Sequence, residues 1–139
     1  HLKRKVDAGA SVIFTQLFYD NADYLRFRDR CQRAGIHAPI IPGILPILNF
    51  AQIQRISKMC KANLPTDLVQ KLESAGEDAN AQQEVGIEHA TQQCEGLVRA
   101  GVPGIHFYVL NRAKATLRIA KQLGLQGSNY QAPPTREAA

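Results

Sequence analysis

Apolar positions along the chain fall into short unbroken runs, separated by longer stretches in which they recur every third or fourth residue. Val12-Ile13-Phe14-Thr15-Gln16-Leu17-Phe18 is a run of mainly β-branched and aromatic residues, flanked by Gly9 and by the polar Asp20-Asn21. It predicts a buried strand over 12–18. Tyr24, Phe27, Cys31 and Ala34 then share one helical stripe, with Arg26, Arg30 and Arg33 turned outward. This predicts a helix over 22–34 that Gly35 ends in the left-handed conformation. Pro39-Ile40-Ile41-Pro42-Gly43-Ile44-Leu45 is a second apolar run. Because proline cannot donate to a ladder, the strand is expected to be short, over 39–42, and to leave through Gly43 into an irregular loop.

Asn49 is placed to cap a helix carrying Phe50, Ile53, Ile56 and Cys60 at helical spacing. Pro65 suits the first turn of a further helix with Leu68, Val69 and Leu72 as its buried face. Gly76-Glu77-Asp78 breaks that helix, and a long one over 80–100 follows, its stripe formed by Ile87, Ala90, Cys94, Leu97 and Val98. Ile105-His106-Phe107-Tyr108-Val109-Leu110 reads as the third strand, and Asn111 as the cap of a closing helix over 113–123 that ends at Gly124. Residues 2–8 read as the end of a helix. Residues 126–139 hold too little apolar surface to offset chain entropy and read as a disordered tail.

Strands separated by helices demand parallel pairing and right-handed crossovers. Continuous apolar runs suit a sheet covered on both faces. Three strands are few for a doubly wound sheet, and a (β/α)8 TIM barrel needs eight strands and roughly 250 residues. The pattern therefore predicts an α/β fold of about three β/α units, part of such a barrel.

Composition narrows the picture only modestly. In 139 residues, 45% hydrophobic and 21% charged is ordinary for a globular domain and excludes a collagenous or wholly disordered polymer. The longest stretch free of strongly polar residues, 38–48, is broken by three prolines and a glycine and is too short for a membrane helix. Lys3-Arg4-Lys5 is followed by Val6-Asp7-Ala8-Gly9, where a secretory signal would place its apolar run, so a cytoplasmic protein is expected. The chain starts at His1, without an initiator Met, which reads as a cut through something longer. Three cysteines, Cys31, Cys60 and Cys94, match neither a zinc pattern nor a disulfide framework and read as buried free thiols; no metal site is expected. The net charge of +5 admits nucleic acid as a partner. With no Trp and 6% aromatic residues, a phosphate-bearing small molecule or simple solubility explains it as well.

In a barrel the ligand site lies at the C-terminal ends of the strands, which directs attention to Thr15, Gln16, Tyr19 and Asp20, to residues 43–48, and to residues 108–112. Gln16 puts a carboxamide inside an apolar strand, a costly burial without partners; it can pair with the amide-like edge of a heterocycle or with its own neighbours. Arg112 places a cation at a helix start, where the dipole disfavours it, unless it reaches for a carboxylate or phosphate. His106 is a candidate acid or base, or a hydrogen-bonded structural histidine. Lys3, Arg4 and Lys5 can grip a pyrophosphate or simply favour a helix C-terminus. No glycine-rich nucleotide motif and no nucleophile elbow is present.

Four segments carry more information than spacing alone. Leu2-Lys3-Arg4-Lys5-Val6-Asp7-Ala8-Gly9-Ala10, Thr15-Gln16-Leu17-Phe18-Tyr19-Asp20, Ile41-Pro42-Gly43-Ile44-Leu45-Pro46-Ile47 and His106-Phe107-Tyr108-Val109-Leu110-Asn111-Arg112 together resemble the 5,10-methylenetetrahydrofolate reductase family, in its short bacterial form. The resemblance runs over residues 1–125. It implies the C-terminal portion of a (β/α)8 TIM barrel over 1–125, followed by the tail 126–139. It further implies a flavoprotein in which NADH or NADPH reduces FAD, and the reduced flavin passes a hydride to methylenetetrahydrofolate in a ping-pong scheme serving methionine synthesis. Matched position by position, Gln16, Gln52 and Arg112 fall on substrate-contacting residues, Gln16 at the pterin and nicotinamide and Arg112 near the folate's glutamate tail. Arg4 and Lys5 fall near the FAD phosphates, and Tyr108 at the flavin site. His1 stands where relatives carry an asparagine, and Ile56 where some carry a phenylalanine that stacks on the nicotinamide. The family's general acid glutamate and the aspartate beside the flavin belong to the N-terminal part of the barrel. The resemblance thus implies that this stretch needs the rest of the barrel as partner, does not turn over alone, and forms a homo-oligomer when full length. The alternative from another class is a non-catalytic basic α/β module that binds a phosphate-bearing ligand or RNA.

Overall fold

The computed structural model describes residues 1–110 and 112–124. Its elements run α1 (Leu2–Asp7), β1 (Ile13–Leu17), α2 (Asn21–Arg33), β2 (Ile40–Ile44), α3 (Phe50–Cys60), α4 (Thr66–Ser74), α5 (Ala79–Arg99), β3 (His106–Phe107) and α6 (Ala113–Gln122). The three strands lie side by side in the order β1-β2-β3, both pairs parallel, as the alternation of strands and helices predicts.

Local signals set most helix ends. The Asp20 carboxylate accepts from Ala22 N at the start of α2, Asn49 from Gln52 N at α3, and Asp78 from both Asn80 N and Ala81 N at α5, each satisfying donors that a helix start leaves without partners. Gly35 takes φ +72° just past α2, the left-handed stop predicted for it. Pro65 sits one position outside α4, as its N-cap, and does not enter the first turn. Asn111, expected to cap α6, lies outside the described residues, as do residue 125 and the tail 126–139; the N-cap of α6 is Arg112.

Two strand boundaries differ from expectation. β2 runs through Pro42 and Gly43 to Ile44, beyond the predicted 39–42, because Gly43 and Ile44 pair with His106 and Phe107 of β3, while Gly43 N donates to the Thr15 hydroxyl at 2.9 Å. β3 contracts to His106–Phe107, although Tyr108 N still donates to Ile44 O at 2.8 Å. Past that bond the backbone turns, and Leu110 takes φ +45°, which ends any extended run.

The main core lies between one face of the sheet and the helices. Ile13, Ile40 and Ile44 from the strands meet Tyr24 and Cys31 of α2, Ile87, Cys94 and Leu97 of α5, and Ile119 of α6. The Tyr24 hydroxyl, buried there, donates to Ile40 O at 2.9 Å. A second cluster sits beyond the strand ends, where Leu17, Tyr19, Leu45 and Ile47 pack on Ile53 of α3 and on Leu68 and Leu72 of α4. Ala34 and Val98, assigned to buried stripes on spacing, are exposed, Val98 by 53%; Ala34 is the C-cap of α2, and Val98 stands at the edge of the α5 stripe, one step round from the fully buried Leu97. Cys31 and Cys94 are buried free thiols and Cys60 is half-buried. Burial pushes the Cys94 thiol up to about 12, which leaves it inert at neutral pH.

The opposite face of the sheet is largely uncovered, contrary to the expectation of a sheet buried on both sides. In β1, Ile13 and Leu17 are buried while Phe14 is 56% exposed and Gln16 is exposed. Phe14 packs its ring edge-on to His106, and His106 in turn to Tyr108. Helices lie on one side only, so the aromatic row keeps its second side open.

Candidate functional site

A cleft opens at the C-terminal ends of β2 and β3. One wall is the β2–α3 connection with the first turns of α3, including Leu45, Ile47, Asn49, Gln52 and Ile56. The other is Tyr108, Val109, Leu110 and Arg112 leading into Ala115 and Thr116 of α6.

The β2–α3 wall is rigid for identifiable reasons. Pro46 and Ile47 are buried. Phe50 N donates to Gln82 Oε1 at 2.9 Å, and Gln82 Nε2 donates to Gly76 O at 2.5 Å, so a buried glutamine of α5 ties the start of α3 to the end of α4. Gly86 of α5 lies so near Ile47 that an added Cβ would meet the Ile47 carbonyl oxygen at 1.8 Å. The β3–α6 wall carries local strain instead. Leu110 holds a left-handed backbone uncommon for a residue with a Cβ and is 59% exposed, and Arg112 N closes the turn onto Val109 O at 2.8 Å.

Gln52, Tyr108 and Arg112 therefore share one hollow. Arg112 is the one charged residue among its described lining, and it stands at the N-terminus of α6, where the helix dipole also favours an anion. Lys114, on the first turn of α6, lines a more open adjoining depression of about 330 Å³ together with Arg112. The cleft itself, about 40 Å³ in volume, joins largely apolar walls to one cation, Arg112, and the carboxamides of Asn49 and Gln52, and suits the carboxylate or phosphate end of a ligand whose larger part lies outside it.

Gln16 does not line this cleft. It stands on the exposed sheet face, with Oε1 accepting from Leu17 N at 3.0 Å. It is linked to the cleft through the backbone, because the Tyr108 hydroxyl donates to Thr15 O at 2.8 Å. His106 is half-buried between Phe14 and Tyr108. Arg4 and Lys5 project from α1 as exposed cations and are not part of the cleft lining. By charge they fit the phosphate end of a dinucleotide, and the open row of Phe14, His106 and Tyr108 fits a flat ring. Among the described residues no group of three or more His, Cys, Asp or Glu side chains is arranged to hold a metal, and no described helix is long and apolar enough to cross a membrane.

The profile of the methylenetetrahydrofolate reductase family matches residues 1–124. The chain belongs to that family. It is 44% identical over 126 residues to the 5,10-methylenetetrahydrofolate reductase of Escherichia coli (strain K12), a match covering 91% of this chain and 43% of the relative. It is 41% identical over 125 residues to methylenetetrahydrofolate reductase (NADH) 1 of Arabidopsis thaliana, covering 90% of this chain and 21% of the relative. The chain thus spans less than half the length of these curated relatives. Methylenetetrahydrofolate reductases are TIM barrels, and the three parallel strands with helices on one side are a portion of one. The open sheet face is then the inner face of the barrel wall, which gives Phe14, Gln16 and His106 their exposure.

Sequence reasoning missed the supports of the site. Gly43 was expected to lead out of the sheet, yet it is a strand residue over which the Tyr108 ring passes. Thr15 stood out only as a polar residue near a strand end, without its role in register, and Gly86 carried no signal, because its importance lies in a contact between distant segments.

Proposed function

We infer that the chain supplies part of the substrate site of a methylenetetrahydrofolate reductase, as the last three β/α units of a longer barrel. In this reading the full-length enzyme reduces 5,10-methylenetetrahydrofolate to 5-methyltetrahydrofolate in the cytoplasm with NADH or NADPH as reductant, and this stretch is inactive by itself. FAD, when bound, relays the hydride between the two substrates. Arg4 and Lys5 would hold its phosphates, and Tyr108 would line its ring site. Gln16 hydrogen-bonds the pterin or the nicotinamide in turn. Gln52 contacts the bound substrate from the first turn of α3, and Arg112 pairs with the glutamate carboxylate of the folate. The observation that carries the reading is the cleft in which Arg112, the one cation of its described lining, shares apolar walls with Gln52 and Tyr108.

Substitution in the full-length enzyme tests it. Arg112→Ala should raise the folate KM by roughly ten-fold or more, as expected on losing a charge-assisted hydrogen bond, while the rate of NAD(P)H oxidation with an artificial acceptor holds. Gln16→Ala should slow the folate half-reaction more than it lowers flavin content. Unchanged folate kinetics in Arg112→Ala would remove the cleft from the substrate site.

A further inference from the structure

The strand that carries Gln16 is irregular at the point where Gln16 sits. Phe14 pairs with Ile41 and Leu17 with Gly43, so three steps along β1 answer two along β2. An extra residue of this kind leaves backbone groups without ladder partners and turns a side chain to a new direction. Here three side chains engage backbone groups around the irregularity. The Thr15 hydroxyl accepts from Gly43 N at 2.9 Å. The Tyr108 hydroxyl reaches from beyond β3, across β2, to donate to Thr15 O at 2.8 Å. Gln16 Oε1 accepts from Leu17 N at 3.0 Å.

Gly43 is what lets the phenol cross. A Cβ at that position would lie 2.6 Å from Tyr108 Cε2 and 2.7 Å from Thr15 O, so any side chain there would push the ring off and close the path to β1. The orientation of the Gln16 amide also follows without ambiguity. Only its oxygen can accept from the Leu17 N–H, so the end not engaged with the backbone is the NH2, a hydrogen-bond donor.

The geometry points to Thr15, Gly43 and Tyr108 as positioning residues: a brace across three strands that holds the β1 bulge and thereby presents the Gln16 NH2 to an acceptor atom of the substrate. The Tyr108 hydroxyl is engaged by this brace. The inference rests on the substrate role proposed above for Gln16 and adds how that residue is aimed.

A double-mutant cycle in the full-length enzyme separates the two. Tyr108→Phe keeps the ring and removes only the hydroxyl. It should lower kcat/KM for the folate about three- to ten-fold, the scale of one lost hydrogen bond. In the Gln16→Ala background the same change should have less than about a two-fold effect, because the residue it acts through is gone. Thr15→Val should reproduce the loss and Thr15→Ser should restore parental values. The folate Kd, titrated without reductant, should follow the same pattern. If the Tyr108→Phe and Gln16→Ala factors multiply, if Thr15→Val matches the parent, or if flavin loss accounts for the whole Tyr108→Phe effect, the brace does not act through Gln16 and the inference fails while the substrate role of Gln16 stands. If Gln16→Ala alone leaves folate kinetics and binding unchanged, both fall.

Discussion

Replacing Gly86 by alanine is expected to displace the loop that walls the cleft. Gly86 lies inside α5, and a Cβ there meets the Ile47 carbonyl oxygen at 1.8 Å, the carbonyl carbon at 2.7 Å and Ile47 Cβ at 2.9 Å. The obstacle is mostly backbone, so no side-chain rotation relieves it, and helix and loop must part by about 1 Å or more. Overpacking of this kind costs about 3 kcal/mol at the upper end of its usual range. Alanine returns about 1 kcal/mol through its better helix propensity. The net expectation is a loss of about 2 kcal/mol, read as a fall of roughly 1 M in the urea midpoint for a slope near 2 kcal/mol/M. Gly96 of the same helix is the internal control: its Cβ would meet only Asn21 Nδ2, at 2.7 Å, the end of a side chain, so Gly96→Ala should cost less than half as much. Because Ile47 lines the cleft, the substrate role proposed above predicts that folate affinity of the full-length enzyme weakens in Gly86→Ala beyond what instability explains. A Gly86→Ala protein that melts with the parent would refute the close approach of α5 to the loop.

Two other outcomes are expected. His89 donates from Nε2 to Tyr19 O at 2.9 Å, and burial, the largest influence, lowers its pKa below the ordinary 6.5, against the opposing pull of that bond and of Asp67 and Asp20. The unfolded chain then takes up a proton near pH 6.5 that the folded chain resists, so stability is full above that pH and is lost as pH falls below it; urea midpoints between pH 7.5 and 5 should drop in the parent and flatten in His89→Gln. Asp78→Ala removes a cap that serves two backbone N–H groups of α5 and should cost about 1 kcal/mol in the same assay, whereas Asp78→Asn should recover most of it.

Local chemistry was legible in the sequence, and chemistry that depends on register was not. Asp20-Asn21, Asn49 and Gly35 act within one turn of their own position, so both ends of α2 and the start of α3 follow from residue type alone, whereas α3 ends at Lys61, left-handed without being a glycine. The stripe Ile87, Ala90, Cys94 and Leu97 is buried as its period requires; Val98, one step round the helix from the fully buried Leu97, falls at the edge of that stripe. Arg112 was singled out as a cation at an unfavourable helix end, and it does share a cleft with Gln52 and Tyr108. The bulge in β1 was invisible because its cause is the pairing of Leu17 with Gly43, an inter-strand fact. Gly86 carries no local signal, since the Ile47 carbonyl that explains it lies 39 residues earlier in the sequence.

The far side of α5 holds the outlet of β1 in place. Gln93 Nε2 donates to Phe18 O and His89 to Tyr19 O, while Asn21 Nδ2 donates back to Gln93 O, links of 70 to 75 residues in sequence. During synthesis at about 5–20 residues per second, the segment after Gln16 therefore waits roughly 4 to 15 s for the helix that fixes it. Until then the outlet of β1 is held only from within residues 13–44, by the cap of α2 and the pairing of Leu17 with Gly43, and α5 is what completes its fixing.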